Sequence, residues 1–167
     1  MSGSSHDVLA ALPHSVEAEK AILGLILRAP ERFNYLLDKV SLKAEYFFVE
    51  LHKKIYEMMI ALDQESNPID ILTIGEKLYI DFQEKNSNFD PSFLIELTES
   101  CPVAQNIEYY AIIVCNKYYL RRVITTCQET IERASRSQGE VSEFITDVEK
   151  TFLEITNDAH REGGLVP

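Results

Sequence analysis

One uninterrupted segment limits what this sequence can fold into more than any other feature. From Asn106 to Ala134 there is no glycine and no proline, and apolar residues recur with the period of an α-helix. At a rise of 1.5 Å per residue, these roughly 29 residues make a helix about 43 Å long. It is much longer than any other helix that the sequence predicts.

Turn-forming residues divide the preceding part of the chain into five shorter helical segments. Ser15 and Asp70 are predicted helix N-caps, and Asp90 with Pro91 is predicted to start the fifth helix. Pro30 is predicted to end the first helix and open the second. The third helix, near Glu50–Leu62, and the fourth are predicted to point the following residues at the core: Leu51, Ile55, Met58 and Leu62, then Ile71, Ile74, Leu78 and Phe82.

A second helix with its own apolar stripe follows the long one. A short turn over 135–139 separates the two helices, and the second is predicted to end near Asn157. Alternating spacings of four and three, typical of coiled-coil seams, place one apolar stripe on each helix. The stripe residues are Tyr110, Ile113, Leu120, Ile124, Cys127 and Ile131 on the long helix, and Val141, Phe144, Ile145, Val148, Phe152 and Ile155 on the next.

Two such helices with a short connection form an antiparallel hairpin. A lone hairpin buries too little apolar surface to be stable, and an exposed apolar patch usually indicates association. We therefore expect hairpins from two chains to pair, and the twelve stripe residues are the candidate self-association residues. The predicted fold is all-α: a compact multi-helix globular head followed by a long antiparallel helical hairpin.

The predicted organisation has four parts. Residues 1–12 are a flexible extension, 13–104 the head, 105–157 the hairpin and 158–167 the start of a linker. The longest apolar runs are far too short to span a bilayer, and the N-terminus lacks the features of a signal peptide. We therefore expect a cytoplasmic protein with no membrane partner. Its three cysteines, an odd number, are expected to be reduced thiols.

The charge balance argues against a protein that coats nucleic acid. Sixteen Lys and Arg face 27 Asp and Glu, which gives a net charge of −11. Proteins that hold DNA neutralise its phosphates with basic side chains, so we expect little or no direct DNA binding and a protein partner instead. Arg121 and Arg122 are the centre of the one basic cluster. They are candidates for a contact with a partner protein, or with single-stranded DNA near it, or are ordinary surface charges.

Motifs for chemistry are missing from the sequence. It contains no phosphate-binding G-x-x-x-x-G-K-[ST] loop and no Glu-x-x-His pair of the kind that holds di-iron in helical bundles. No catalytic, cofactor-binding or metal-binding residue is therefore predicted. His52 lies within a predicted helix and is interpreted as a packing or capping histidine rather than a base or ligand.

Four segments in order resemble the N-terminal domain of the bacterial replicative DNA helicase of the DnaB type. They are Pro13–Glu19 running into Ile22–Gly24; Phe47–Phe48 with His52, Ile55 and Tyr56; Pro68–Asp70 with Thr73; and Pro102, Ala104, Asn106, Ile107, Tyr110, Ala111, Val114 and Arg121–Arg122. Ser87–Asp90 departs from the Gly-Gly turn that members often carry. Glu162–Pro167 resembles the start of the family's linker, so we interpret the chain as an isolated domain.

The resemblance implies a role in assembly rather than catalysis. In this family the domain forms the collar of a hexamer, arranged as a trimer of dimers, and binds primase partly through the hairpin. ATP hydrolysis, with ATP and Mg²⁺, belongs to a motor domain. Arg121 and Arg122 are then candidate primase contacts. The alternatives are the helicase-binding region of a primase, which has a similar fold, and a helical enzyme with a site in its bundle core.

Overall fold

The computed structural model describes residues 12–85, 87–99, 106–136 and 140–161. Within these ranges all regular secondary structure is helical. The elements are α1 (Val16–Arg28), α2 (Arg32–Val40), a 3₁₀ turn (Ala44–Tyr46), α3 (Glu50–Gln64), α4 (Ile71–Glu84), α5 (Ser92–Glu99), α6 (Ile107–Arg136) and α7 (Val141–Arg161). The predicted all-α fold is confirmed. Residues 1–11 of the predicted extension, Cys101, Pro102, Ala104, the centre of the predicted turn at 137–139 and the predicted linker residues 162–167 lie outside the described residues.

Local capping explains where three of the helices begin. Ser15 Oγ accepts the Ala18 N–H at 3.3 Å and caps α1. Asp70 and Thr73 form a reciprocal capping box on α4, in which Asp70 Oδ1 accepts the Thr73 N–H at 2.8 Å. Asp90 Oδ1 accepts the Ser92 N–H at 2.9 Å, so α5 begins one residue after Pro91. The predicted caps at Ser15, Asp70 and Asp90 are confirmed, and α5 begins one residue later than predicted.

A single apolar core fills the head. Every residue of α1 from Ala21 to Leu27 is buried, because α1 is contacted by α2, α3, α5 and α6. The first turns of α6 complete this core with Ile107, Ala111, Val114 and Cys115. Head and hairpin therefore share one continuous helix.

The predicted inward faces of α3 and α4 need correction. Leu51 and Met58 are only half-buried, while His52, Tyr56 and Met59 are buried. Ile55 and Leu62 are buried as predicted, and Leu51 and Met58 pack against the core. The buried face of α3 is therefore wider than predicted, and the added His52 and Tyr56 have hydrogen-bond partners in Glu19 and the Leu42 carbonyl oxygen. Ile71, at the first position of α4, is 38% exposed, so its predicted place in the core is wrong.

The hairpin is antiparallel, and its two helices are connected at two levels. Arg122 pairs with Asp158 at 2.9 Å and Arg133 with Asp147 at 2.5 Å, so residue numbers rise along α6 as they fall along α7. At the level of the Arg122–Asp158 pair lies a small cluster of Tyr119, Ile155 and Ala159. Because Ala159 packs in this cluster, α7 continues to Arg161, beyond the predicted end at Asn157 and into the predicted linker.

Candidate functional site

Arg121 lies where α6 leaves the head, and its guanidinium joins three separate segments. Nη1 donates to the Pro13 carbonyl oxygen at 2.8 Å, and Nη2 donates to the Tyr46 carbonyl oxygen at 2.7 Å. The guanidinium carbon lies 5.4 Å from the ring centroid of Phe48 and 5.9 Å from that of Tyr118. The segment before α1, the 3₁₀ turn and α6 are thus held by one side chain.

The surroundings of Arg121 are partly buried and charged. Burial lowers the pKa of its guanidinium, and the negative charge of Glu19 opposes that shift. An arginine stays protonated in proteins, so Arg121 is a fixed cation beside a buried carboxylate. The structure gives this residue intramolecular partners rather than an open, solvated position.

Glu19 is the centre of a buried polar network in the head. It is 1% exposed and His52 is 2% exposed. One Glu19 carboxylate oxygen accepts the Phe48 N–H at 2.7 Å, and the other accepts the Val49 N–H at 3.2 Å and lies 2.8 Å from His52 Nδ1. The carboxylate therefore caps the N-terminus of α3, whose own N-cap residue Val49 makes no side-chain cap. His52 also stacks on Phe93, which confirms its interpretation as a packing residue.

Arg122, next in the chain, faces the other helix of the hairpin. Its pair with Asp158 leaves 32% of the arginine side chain and 45% of the aspartate side chain exposed. The guanidinium carbon is also 6.0 Å from the Tyr118 ring centroid. The two neighbouring arginines therefore differ: Arg121 is bonded into the head, and Arg122 closes the hairpin and reaches solvent.

The candidate self-association residues divide into three groups. Tyr110 and Ile113 pack half-buried against the head core, and Ile155 is buried between α6 and α7. Phe144 lies under the Arg133 guanidinium at 5.3 Å, and Val148 and Phe152 are half-buried. The remaining residues define what we call the hairpin apolar face: Leu120, Ile124, Cys127, Ile131, Val141 and Ile145.

The hairpin apolar face is mostly open to solvent. Leu120 is 50% exposed, Ile131 66%, Val141 69% and Ile145 52%. The helical period places its α6 members on the side of the helix away from Ile107, Ala111 and Val114, which point into the head. Val123 and Leu153, which the sequence reasoning did not select, are further exposed apolar residues of the hairpin.

A groove with a different character runs near the distal end of the hairpin. Its volume is about 710 Å³, and its lining combines five carboxylates with two guanidiniums and one aromatic ring: Glu129, Glu132, Glu140, Glu143, Asp147, Arg133, Arg136 and Phe144. Because five carboxylates face two guanidiniums, the groove has an excess of negative charge. One of the guanidiniums, that of Arg133, is paired with Asp147.

Two kinds of site were predicted to be absent, a metal site and a membrane span. Among the described residues, no cluster of three or more His, Cys, Asp or Glu side chains could hold a metal ion. In the same ranges, none of the helices combines the length and the apolar character that crossing a bilayer requires. The arrangement can present surfaces and hold them rigidly, and its polar networks serve packing.

Sequence reasoning missed the partnership of Glu19 and the bonded state of Arg121. Glu19 looked like an acidic residue that favours the start of α1. A signal was nevertheless present, because Glu19 lies three and four residues before Ile22 and Leu23 on the apolar face of α1. An acid on a buried face requires a polar partner.

Comparison with protein families and with known proteins gives a consistent result. The family model described as the DnaB-like helicase N terminal domain matches residues 11–116. The chain is similar to the replicative DNA helicase DnaC of Bacillus subtilis (strain 168), with 33% identity over 144 residues, which are 86% of this chain and 31% of that protein. It is similar to the replicative DNA helicase DnaB of Geobacillus stearothermophilus, with 29% identity over 148 residues, 89% of this chain and 32% of that protein. The chain thus spans about a third of the length of these relatives.

Two solved structures share the fold. The crystal structure of the N-terminal domain of DnaB helicase from Mycobacterium tuberculosis superposes with a TM-score of 0.73 at 22% identity, covering 85% of this chain and 98% of that one. A structure described as a DnaB-like replicative helicase and its interactions with primase superposes with a TM-score of 0.65 at 24% identity, covering 84% of this chain and 31% of that one.

Proposed function

The chain belongs to the family of DnaB-like helicase N-terminal domains, and from this premise we propose that it is a non-catalytic assembly and primase-docking domain of a replicative DNA helicase. In the whole helicase it would form part of a hexameric collar built as a trimer of dimers. We assign ATP hydrolysis and its Mg²⁺ to a motor domain, and we expect little or no DNA binding by this chain.

The exposure of the hairpin apolar face is the observation that carries the assembly role. Exposed apolar patches of this kind mark interaction sites on soluble proteins, and a second copy of the same face offers a matching surface in a two-fold pair. The twelve stripe residues remain the proposed self-association set, and the hairpin apolar face is its most accessible part.

Paired truncation of the hairpin tests this assembly role. We expect Ile124→Ala with Phe152→Ala to weaken self-association measured by light scattering over a micromolar dilution series. Circular dichroism of the same variant checks that both helices persist. A chain that is monomeric before mutation, or an unchanged dimer affinity after it, would exclude the hairpin as the self-association surface.

Primase docking is the second part of the proposal. It is supported by the family membership and by the neighbour whose description includes interactions with primase. Arg121 and Arg122 remain the candidate contacts, and Arg122 is the one whose side chain reaches solvent beside Asp158.

Titration with the C-terminal domain of the cognate primase, followed by calorimetry, tests this role. Arg122→Glu is expected to weaken binding, and Arg28→Glu, the same charge change at the exposed end of α1, is the control. Equal binding by both variants would remove Arg122 from the docking surface. Binding to an intact helicase instead of primase would favour the alternative, the helicase-binding region of a primase.

A further inference from the structure

We propose that Arg121 is a positioning residue that fixes the direction in which the hairpin leaves the head. This inference does not depend on the proposed function, since it concerns the geometry of the isolated chain. It assigns a role to a residue for which the sequence left a partner contact, a contact with single-stranded DNA and an ordinary surface charge open.

Arg121 lies on α6 between the residues in the head core and the exposed residues of the hairpin. Ile107, Ala111, Val114 and Cys115 lie in the head core, whereas Val123 and the α6 members of the hairpin apolar face beyond it are partly or largely exposed. Arg121 thus stands just beyond the turns of α6 that lie in the head core. A restraint at this level controls the direction of the helix beyond it.

The Arg121 guanidinium donates hydrogen bonds in two directions. Its two terminal nitrogens hold two carbonyl oxygens that are 33 residues apart in the chain, those of Pro13 and Tyr46. A planar fork that donates in two fixed directions restrains rotation as well as distance, which a single ammonium cannot do. Phe48 and Tyr118 contact the guanidinium as well, and Tyr46 contacts Tyr118 at a centroid distance of 4.5 Å.

The two segments that Arg121 binds are themselves packed in the head. His14 stacks on Phe48 at 4.3 Å with an interplanar angle of 11°, and the Phe48 N–H is bonded to the buried Glu19 carboxylate. The two carbonyls are therefore attached to the head itself rather than to loose loops. Through these two hydrogen bonds, the Arg121 guanidinium connects α6 to well-packed parts of the head.

A small change of direction at Arg121 becomes large at the far end of the hairpin. Fourteen residues of helix separate it from Ser135, which corresponds to about 21 Å, so a tilt of about 10° moves that end by about 4 Å. Every surface on the hairpin is displaced together with it.

Distance measurement by double electron–electron resonance tests the proposal on the full chain. Nitroxide labels on Lys39→Cys in α2 and Ser135→Cys in α6 report the distance between head and hairpin. The background carries Cys101→Ser and Cys127→Ser, and the remaining native cysteine, Cys115, is buried. Dilution with unlabelled chain removes distances between molecules. We expect Arg121→Met to shift or broaden the distribution by about 4 Å or more, and Arg121→Lys to give a smaller change.

The neighbouring arginine supplies the matched control. Arg122→Met removes the same charge but leaves the fork to Pro13 and Tyr46 intact, so its distribution is expected to match that of the unsubstituted chain. An unchanged distribution in folded Arg121→Met, or an equal change in Arg122→Met, would overturn the proposal. If Arg121→Met does not fold, Arg121→Lys is compared with Arg122→Lys, and identical distributions would overturn it in the same way.

Discussion

The head and the hairpin are stabilised by different means. In the head, apolar side chains from six helices meet in one core, and buried polar groups join segments far apart in sequence, as when Glu19 binds His52 and the start of α3. The hairpin is held by a cluster of three buried residues and two ion pairs that are partly or largely exposed. Several of its aliphatic side chains face solvent, among them Leu120, Ile131 and Val141.

The head is therefore stabilised within the chain, whereas the hairpin has surface available for association. The head gains its stability from contacts within the chain, so its surface can change without loss of the fold. The hairpin leaves apolar surface unburied on both of its helices, and burying it against a partner would stabilise the hairpin further. The head also exposes apolar side chains, such as Leu72 and Tyr79.

Removal of the Glu19 carboxylate should destabilise the head most strongly. Glu19→Ala leaves His52 and the N–H groups of Phe48 and Val49 without their acceptor in a buried site, which is expected to cost about 3 kcal/mol or more. Urea unfolding followed by circular dichroism measures the free energy of unfolding. Glu17→Ala, an exposed glutamate in the same turn of α1, is the control, and equal losses in the two variants would contradict this account.

Truncation of the hairpin cluster should act locally. Ile155 is 5% exposed, and Ile155→Ala is expected to cost about 2 kcal/mol, which corresponds to roughly 30-fold faster amide hydrogen exchange in α7. Exchange in α1 is expected to stay unchanged, because the head core does not include this residue. Leu153→Ala, at a position that is 60% exposed, is the control. Faster exchange throughout the chain would show that the two parts unfold as one unit.

A polar residue on the hairpin apolar face should change association more than stability. Ile131 is 66% exposed, so Ile131→Ser is expected to leave the free energy of unfolding nearly unchanged while weakening self-association about tenfold, or about 1.4 kcal/mol. Sedimentation equilibrium measures this affinity. Leu72→Ser, on the head at an even more exposed position, is the matched variant. An equal loss of affinity in Leu72→Ser would place part of the interface on the head.

Acid should weaken one helix start of the head slightly. The hydroxyl and backbone N–H groups of Ser92 lower the pKa of Asp90. Because the pKa of this carboxyl is lower in the folded chain than in the unfolded one, its contribution is complete at neutral pH and is lost as the pH falls through the acidic range where aspartate titrates. Asp90→Asn is expected to remove this part of the pH dependence of the urea midpoint. Identical pH profiles for the two proteins would exclude a contribution from the ionisation of Asp90.

The features that sequence predicted best are those set by neighbouring residues. The caps at Ser15, Asp70 and Asp90 depend on groups within three positions of the helix start, and the length of α6 follows from the lack of a breaker in its sequence. Such signals act over one helical turn, and the fold they specify was recovered.

The features that sequence did not predict depend on how helices meet. Glu19 and His52 are 33 residues apart and become partners only when α1 packs beside α3. Periodicity predicted Ile55 and Leu62 on the buried face of α3, but not the additional Tyr56 and Met59. Whether Arg121 is a surface charge or a bonded one also depends on this packing. The spacing of apolar residues in the hairpin predicted an apolar stripe. It did not predict which residues of that stripe pack against the head.

The sharing of α6 between head and hairpin has a consequence for biosynthesis. When a ribosome has released the chain only as far as Glu99, all five earlier helices are available, yet the positions that Ile107, Ala111, Val114 and Cys115 fill in the core are vacant. Domains generally fold as units as they emerge from the ribosome, so the head reaches its native packing only after the first turns of α6 have left the exit tunnel. The order of synthesis thus makes the beginning of the hairpin the closing step of the head.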